Sequence, residues 1–380
     1  MPIEPTDVTP CGRLVDDLIG GPQYAMPQAE KDAALVPILR ALCRDMAARC
    51  PGYGRFLQHF GGDPDAWRTT ADVPPLPVEM FKRFTLSAIP PEKVIRQLHS
   101  SSTTGQRPSR IVIDKTTAFR QARALVSILK SHIGGHRRPL LVLDAPESAG
   151  AGEILTARAA AIRGIANFAS ETVFAMNRVR GDDLQADWDR VEAFFARHPD
   201  EPMLLFGFTF IAWTAFVLEA ERRGRQWAAP HATLLHSGGW KKLQAQAVSH
   251  EEFGRRTSAV LGCDPGAILD FYGMVEQVGT VFVDCPCGHK HAPAFADVLI
   301  RRPLTLAPVD LQETGIIEVV STLPTSYPGQ ALITEDQGTL VGVDDCPCGR
   351  MGRYFRFARR IERTELRGCG DTFAQQREIR

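Results

Sequence analysis

Three groups of side chains in this chain carry chemistry by residue type and spacing. The first is SSSTTGQRPSR at residues 100–110, five consecutive hydroxyl side chains followed by Gly105, with Arg107 and Arg110 close behind. Such a stretch fits a solvated surface loop, because Ser, Thr, Gly and Pro are ordinary loop residues. It also fits a phosphate cradle, in which backbone N–H groups and hydroxyls wrap an anion and arginine adds charge. The second group is a pair of Cys-Pro-Cys-Gly units, Cys285–Gly288 and Cys346–Gly349, the first followed by His289 and His291. A closed zinc site takes four S or N ligands, so four thiols and two imidazoles include spectators. The competing reading is reduced cysteines in two turns. The third group is Glu276 in DFYGMVEQ and Asp336 in TEDQG, single carboxylates near glycines. By residue type alone, Glu276 could simply cap or solvate a helix.

The elements that must position these groups follow from apolar periodicity. Residues 28–50 space apolar side chains as an amphipathic helix, and ADVPPLPVEMFKRF, broken by prolines, is an extended approach to the hydroxyl-rich loop. RIVID is a short strand, and TTAFRQARALVSILKSHI a helix with Thr near its N-cap. PLLVLDAP, PMLLFGF and ATLLHSGG are apolar runs of the kind buried on both faces of a parallel sheet. Between them lie an Ala-rich tract at 149–164, a charged stretch at 182–197, and TFIAWTAFVLEAERRG, all helical by composition, the last ending at Gly224. AILDFYGMVEQVG repeats the strand-to-turn design. Strands alternating with helices predict an α/β fold of parallel or mixed sheets flanked by helices, with ligand loops at the carboxyl ends of the strands. SSSTTG, HSGGWKK and FYGMVEQ all fall at such ends. From residue 281 the runs shorten and turn β-like, predicting a smaller β-rich lobe that carries both cysteine units. The expected division is 1–280, with a helical segment at 1–70, then the lobe at 281–371 and a tail at 372–380.

Composition narrows the function classes. The 380 residues carry 44 Lys and Arg against 44 Asp and Glu, a formal net charge of zero. That removes the electrostatic case for a nucleic-acid or anionic-membrane partner. No apolar run reaches 18 residues, and MPIEPTDVTPCGRL lacks a basic segment leading into an apolar core. The expectation is a cytoplasmic protein with neither a membrane nor a nucleic-acid partner. In a reducing compartment, paired cysteines point to metal rather than disulfide. Cys11, Cys43, Cys50 and Cys263 are scattered, and Cys369 stands apart.

Four stretches in order, SSSTTGQRPSR, HSGGWKK, DFYGMVEQ and TEDQG with FRFARRIERTELRGCGD, resemble the adenylate-forming superfamily of acyl-CoA synthetases. Within it the chain is similar to the acyl-protein synthetase branch, the ligase component of bacterial bioluminescence fatty-acid reductases, with phenylacetate-CoA ligases as cousins. The resemblance covers roughly residues 70–371. It implies an acyl-adenylate made from a carboxylic acid and ATP. Ser101, Thr103, Thr104 and Gly105 would cradle the β- and γ-phosphates. The family usually has Gly where Ser102 stands, and a positive φ there would cost about 1–2 kcal/mol. Gly238 and Gly239 would pass the adenine edge, Tyr272 and Gly273 would lie against adenine, and Glu276 would help hold Mg²⁺. Val275 replaces a common Thr. Asp336 would hold the ribose hydroxyls and Arg359 the hinge contact to ribose or phosphate. LFGFTF at 205–210 would line the acyl pocket, or else pack as core.

The resemblance also selects Cys285, His291, Cys346 and Cys348 as ligands of a structural zinc, with Cys287 and His289 as competitors. Superfamily members continue past the hinge into a mobile domain bearing a catalytic lysine. Here 12 residues follow Gly368 and the last lysine is Lys290, so that domain is expected to be absent. Charge neutralisation would fall to Mg²⁺ with Arg107, Arg110, Lys241 or Lys242. Cys369, beside Arg367, matches the thiol that takes the acyl group before a reductase partner receives it. The expected function is therefore carboxylate activation with ATP and Mg²⁺, followed by acyl transfer to Cys369 or to an acyl-CoA-reductase-type partner. Two alternatives stand beside it, an aryl- or acyl-CoA ligase and a degenerate subunit that binds nucleotide or carboxylate without turnover.

Overall fold

The computed structural model describes residues 11–100, 108–150, 154–181, 183–240 and 247–361. Its strands, in chain order, begin with β1 (Leu76–Pro77), β2 (Arg96–His99), β3 (Arg110–Ile113), β4 (Arg138–Val142), β5 (Ile154–Thr156) and β6 (Ala169–Phe174). Next come β7 (Met176–Arg180), β8 (Asp183–Ala186), β9 (Met203–Phe208), β10 (Ala232–Ser237), β11 (Ile268–Tyr272) and β12 (Phe282–Val283). The remainder are β13 (Lys290–His291), β14 (Ala296–Arg301), β15 (Thr314–Ser321), β16 (Ala331–Val343) and β17 (Arg353–Arg360).

The predicted α/β architecture is present. One sheet runs β12-β11-β10-β9-β4-β6, parallel except for the antiparallel edge strand β12. Its apolar runs behave as their composition requires, with Leu140, Leu141, Leu204, Leu205, Leu234 and Leu235 fully buried. Burying each such side chain stabilises the fold by about 1.5–3 kcal/mol. A second sheet, β13-β17-β16-β15-β14, is antiparallel, and β1 adds to β16 in parallel at Leu332 and Ile333. A small sheet, β3-β2-β5, carries the base of the hydroxyl-rich loop, and β7 and β8 form a hairpin.

Local predictions differ from the structure at several helix starts. The helix at Lys115–Ile133 is capped by Asp114, whose carboxylate accepts from the Thr117 N–H at 2.8 Å, and not by threonine. Within the Ala-rich tract, Ile154–Thr156 form β5 and the α-helix spans only Ala157–Ile165. The charged stretch likewise begins as β8, and its helix spans Trp188–Arg197 behind the cap Asp187. In both cases pairing with a neighbouring strand outweighs weak helix propensity at the start of the segment. The proline-rich approach, expected to be extended throughout, contains β1 and a short helix at Met80–Arg83. The helix after β9 contains a π-helical turn at Ala212–Val217 and ends at Arg222.

The N-terminal helices are tied to the antiparallel sheet by buried polar contacts. Gln28 Nε2 donates to Asp297 Oδ2 at 2.9 Å, and Lys31 Nζ to the Ala292 carbonyl at 2.8 Å. Burial lowers the Lys31 ammonium to about 8. Among the described residues no helix is long and apolar enough to cross a membrane.

Candidate active site

The hydroxyl-rich loop joins β2 to β3, an antiparallel hairpin in which His99 faces Arg110. It follows the carboxyl end of β2, which runs parallel to β5. The sequence expectation of a strand-end loop therefore holds, although the chain returns as a strand. Ser100 and Ser109 close the loop: the Ser109 N–H donates to Ser100 Oγ at 2.8 Å and the Ser100 N–H to the Ser109 carbonyl at 3.2 Å. Ser101, Thr103, Thr104, Gly105 and Arg107 lie outside the described residues, as do Lys241, Lys242, Arg367 and Cys369.

Ser109 is fully buried and lies beside Glu276. Glu276 sits on the 3₁₀ turn that follows β11, and Tyr327 Oη donates to its backbone carbonyl at 2.9 Å. Burial raises the Glu276 carboxyl above its ordinary range, while Ser109, Lys82 and Arg360 pull it back. β10 and β11 end side by side, with Ser237 opposite Phe271. Gly238 follows with φ 88°, and a Cβ there would stand 3.2 Å from the Phe208 ring. A side chain would be strained at that position, and glycine is not. A Cβ on Gly239 would meet nothing within 4 Å, and one on Gly273 would reach Val281 at 3.2 Å.

Tyr272 is buried among Phe282, Phe355 and Phe357. Phe357 stacks on it with ring centroids 5.6 Å apart and is itself 38% exposed. The Tyr272 hydroxyl donates to Asp336 Oδ2 at 2.9 Å. Asp336 lies on β16 opposite Arg360 of β17, and Arg359 lies opposite Gln337. Burial raises the Asp336 carboxyl, opposed by Arg360 and the Tyr272 hydroxyl. Neighbouring Glu335 pairs with Arg360 at 2.8 Å and with Lys82. Lys82 escaped the sequence reading. It lies on the short helix after β1, which β1's pairing with β16 brings to Glu335, and its side chain is only 11% exposed. The only signal was a lysine just after the proline-rich run, in FKRF.

The four predicted metal ligands come together. The ligand atoms of Cys285, His291, Cys346 and Cys348 all lie within 4.8 Å of one another. Cys285 Sγ is 4.0 Å from Cys346 Sγ, and Cys348 Sγ is 3.5 Å from His291 Nε2. Tetrahedral zinc with its usual bond lengths requires about 3.8 Å between sulfurs and about 3.5 Å from sulfur to nitrogen. The residues present therefore fit that ion. Cys287 is exposed and outside the group, its N–H donating to Cys285 Sγ at 3.4 Å. His289 Nδ1 lies 3.4 Å from Cys346 Sγ, but its Nε2 meets Arg356 at 2.9 Å. Burial pushes the Cys346 thiol up to about 12.

A second titratable cluster was not read from sequence. Lys290 Nζ lies 2.6 Å from Asp284 and 2.8 Å from Asp270. His236 Nδ1 lies 3.0 Å from Thr209 Oγ1 and 3.6 Å from Asp270, and burial lowers its imidazole to about 4. Thr209, His236 and Asp270 are far apart in sequence, and parallel pairing of β10 with β11 aligns His236 with Asp270.

Comparison with known proteins identifies relatives in sequence and in fold. The chain resembles the long-chain-fatty-acid–luciferin-component ligase of Vibrio harveyi, at 21% identity over 367 residues, covering 95% of this chain and 93% of that protein. Its fold matches 2-hydroxyisobutyryl-CoA ligase in an open conformation with 2-HIB-AMP and CoA, with a TM-score of 0.66 and 16% identity, over 89% of this chain and 76% of that one. The same ligase in its postadenylation state also gives a TM-score of 0.66, at 16% identity, over 89% of this chain and 69% of that chain. The family model for acyl-protein synthetase, LuxE, matches residues 1–377, and the chain belongs to that family.

Proposed function

We propose that this protein uses ATP to activate a carboxylic acid as its acyl-adenylate and then passes the acyl group to a thiol. A carboxylate oxygen attacks the α-phosphorus of ATP, and pyrophosphate departs with the electrons of the broken P–O bond. A thiolate then attacks the acyl carbonyl and AMP leaves, giving a thioester. The observation that carries this reading is the convergence of Glu276, the Tyr272–Asp336 pair, Lys82 and Arg360 beside the Ser100–Ser109 closure of the hydroxyl-rich loop. Family membership supports it.

In-line displacement at phosphorus needs positioning and charge neutralisation more than covalent help. Ser101, Thr103, Thr104 and Gly105 hold the β- and γ-phosphates in this reading, and Gly238 and Gly239 let the backbone approach adenine. Tyr272 orients Asp336 toward the ribose hydroxyls. Gly273 keeps the turn after β11 narrow, and Phe357, lying over Tyr272, offers the exposed aromatic face. Arg359 completes the contact to ribose or phosphate. Lys82, held by Glu335, takes part of the cationic work. Glu276 would hold Mg²⁺, which neutralises phosphate charge, and one buried carboxylate suffices because Mg²⁺ keeps several waters. Cys285, His291, Cys346 and Cys348 would hold a structural Zn²⁺ that joins the two cysteine turns.

By analogy with its Vibrio relative, the acid is a long-chain fatty acid. The thiol acceptor is Cys369 followed by a reductase-type partner, and the setting is cytoplasmic. The division between an adenylate-forming core ending near residue 280 and a β-rich lobe belongs to the same reading. Carboxylate-dependent exchange of labelled pyrophosphate into ATP tests it. Exchange with long-chain acids that Glu276→Gln abolishes supports the assignment. ATP binding without exchange, for any acid offered, overturns it.

A further inference from the structure

We propose that His289 is a positioning residue of the metal centre and not a ligand: it donates Nδ1–H to the Cys346 thiolate, its tautomer set by Arg356 of β17. The inference rests on the zinc reading and assigns a role to a residue that reading leaves as a competitor. The argument is one of donors and acceptors. A guanidinium carries only donors, so the Arg356 contact at 2.9 Å requires His289 Nε2 to present its lone pair. A neutral imidazole then has its single proton on Nδ1, the nitrogen 3.4 Å from Cys346 Sγ. That nitrogen can donate to sulfur and cannot bind metal while it keeps the proton.

Three thiolates and one imidazole give a zinc centre one net negative charge. Hydrogen bonds to the sulfurs disperse it, and the Cys287 N–H already provides one to Cys285 Sγ at 3.4 Å. His289 provides the counterpart at Cys346, with the Arg356 charge behind it. Packing fixes the geometry: the Tyr354 ring lies 5.0 Å from both the His289 and the His291 rings, and β13 pairs with β17 through His291 opposite Tyr354. Three residues beyond Arg356, β17 reaches the pair Arg359 and Arg360 of the proposed nucleotide site.

Full-length protein loaded with Zn²⁺ or Co²⁺ tests the assignment. Zinc affinity is read by chelator competition and ligand type by the Co²⁺ absorption spectrum. His289→Gln and Arg356→Leu are expected to weaken zinc by about 10- to 100-fold, as outer-shell losses do, at unchanged stoichiometry and with the three-thiolate, one-imidazole spectrum intact. His289→Asn, whose amide can still reach Cys346 Sγ, is expected to recover part of the loss, and His291→Asn to change the spectrum. A changed Co²⁺ spectrum in His289→Gln would make His289 a ligand and overturn the proposal, as would wild-type affinity in that variant. A wild-type chain that takes up neither metal would overturn the zinc reading itself.

Discussion

The Tyr272 hydroxyl donates to Asp336 Oδ2 at 2.9 Å, joining the end of β11 in the parallel sheet to the middle of β16 in the antiparallel one. The bond crosses 64 residues of sequence and sets the carboxylate that the nucleotide reading assigns to ribose. Tyr272→Phe keeps the ring packing with Phe282, Phe355 and Phe357 and removes only this donor. Nucleotide affinity is expected to fall by about 10- to 100-fold, the value of a hydrogen bond to a charged group. Calorimetric titration with ATP checks it, and an unchanged Kd would separate Asp336 from nucleotide binding.

Lys82 is held by Glu335, which Arg360 also grips. If Lys82 neutralises charge developing on phosphate, Lys82→Ala should slow pyrophosphate exchange by roughly 100-fold, the scale of losing one preorganised donor. Lys82→Arg should restore part of the rate. Exchange at the wild-type rate in Lys82→Ala would reduce the residue to a structural ion pair.

The raised carboxyl of Glu276 has a signed consequence for activity. If Glu276 holds Mg²⁺, the metal competes with the proton for the carboxylate, and the acidic limb of the exchange profile should lie above the ordinary glutamate range. More Mg²⁺ should move that limb to lower pH. A limb indifferent to Mg²⁺ concentration would remove Glu276 from metal binding.

The same shift acts on stability. Burial favours the protonated form in the fold, so the contribution of Glu276 is fully present below the ordinary glutamate value and is lost as pH rises through the raised one. Metal-free Glu276→Gln, neutral at every pH, should therefore melt above the wild type at pH 8, with the gap closing on acidification. Thermal denaturation across that range decides it.

If the Cys285, His291, Cys346 and Cys348 group holds zinc, removing the metal should destabilise the junction that the cysteine turns make with the rest of the chain. Met351 N–H donates to the Tyr24 carbonyl at 2.9 Å, and Arg350 lies 4.4 Å over the Tyr24 ring. Cys346→Ser should abolish stoichiometric zinc and lower Tm, whereas Cys287→Ser, altering an exposed thiol outside the group, should do neither. Elemental analysis with thermal melts distinguishes the two variants.

Much of the site was legible because its residues lie in short, ordered stretches. Glycines after apolar runs marked the turns at Gly238 and Gly273, and two Cys-Pro-Cys-Gly units with flanking histidines marked six candidate ligands, of which the family resemblance selected four. Apolar runs fully buried between helix layers could be read as parallel strands, and they are. Helix starts at Ala157 and Trp188 were misplaced because neighbouring strands recruit the residues before them, and a single sequence carries no record of its neighbours.

By itself the sequence marked most of the long apolar strands, the stretches proposed to meet a nucleotide, and six cysteine and histidine side chains, four of which come together. Only the tertiary structure decided which charges share a site. Lys82 reaches Glu335 because β1 adds to β16, His236 meets Asp270 because β10 and β11 pair in parallel, and His289 meets Arg356 because β13 pairs with β17. Strand pairing between distant segments sets these contacts, and register is fixed by burial of whole faces rather than by the residues that come to touch.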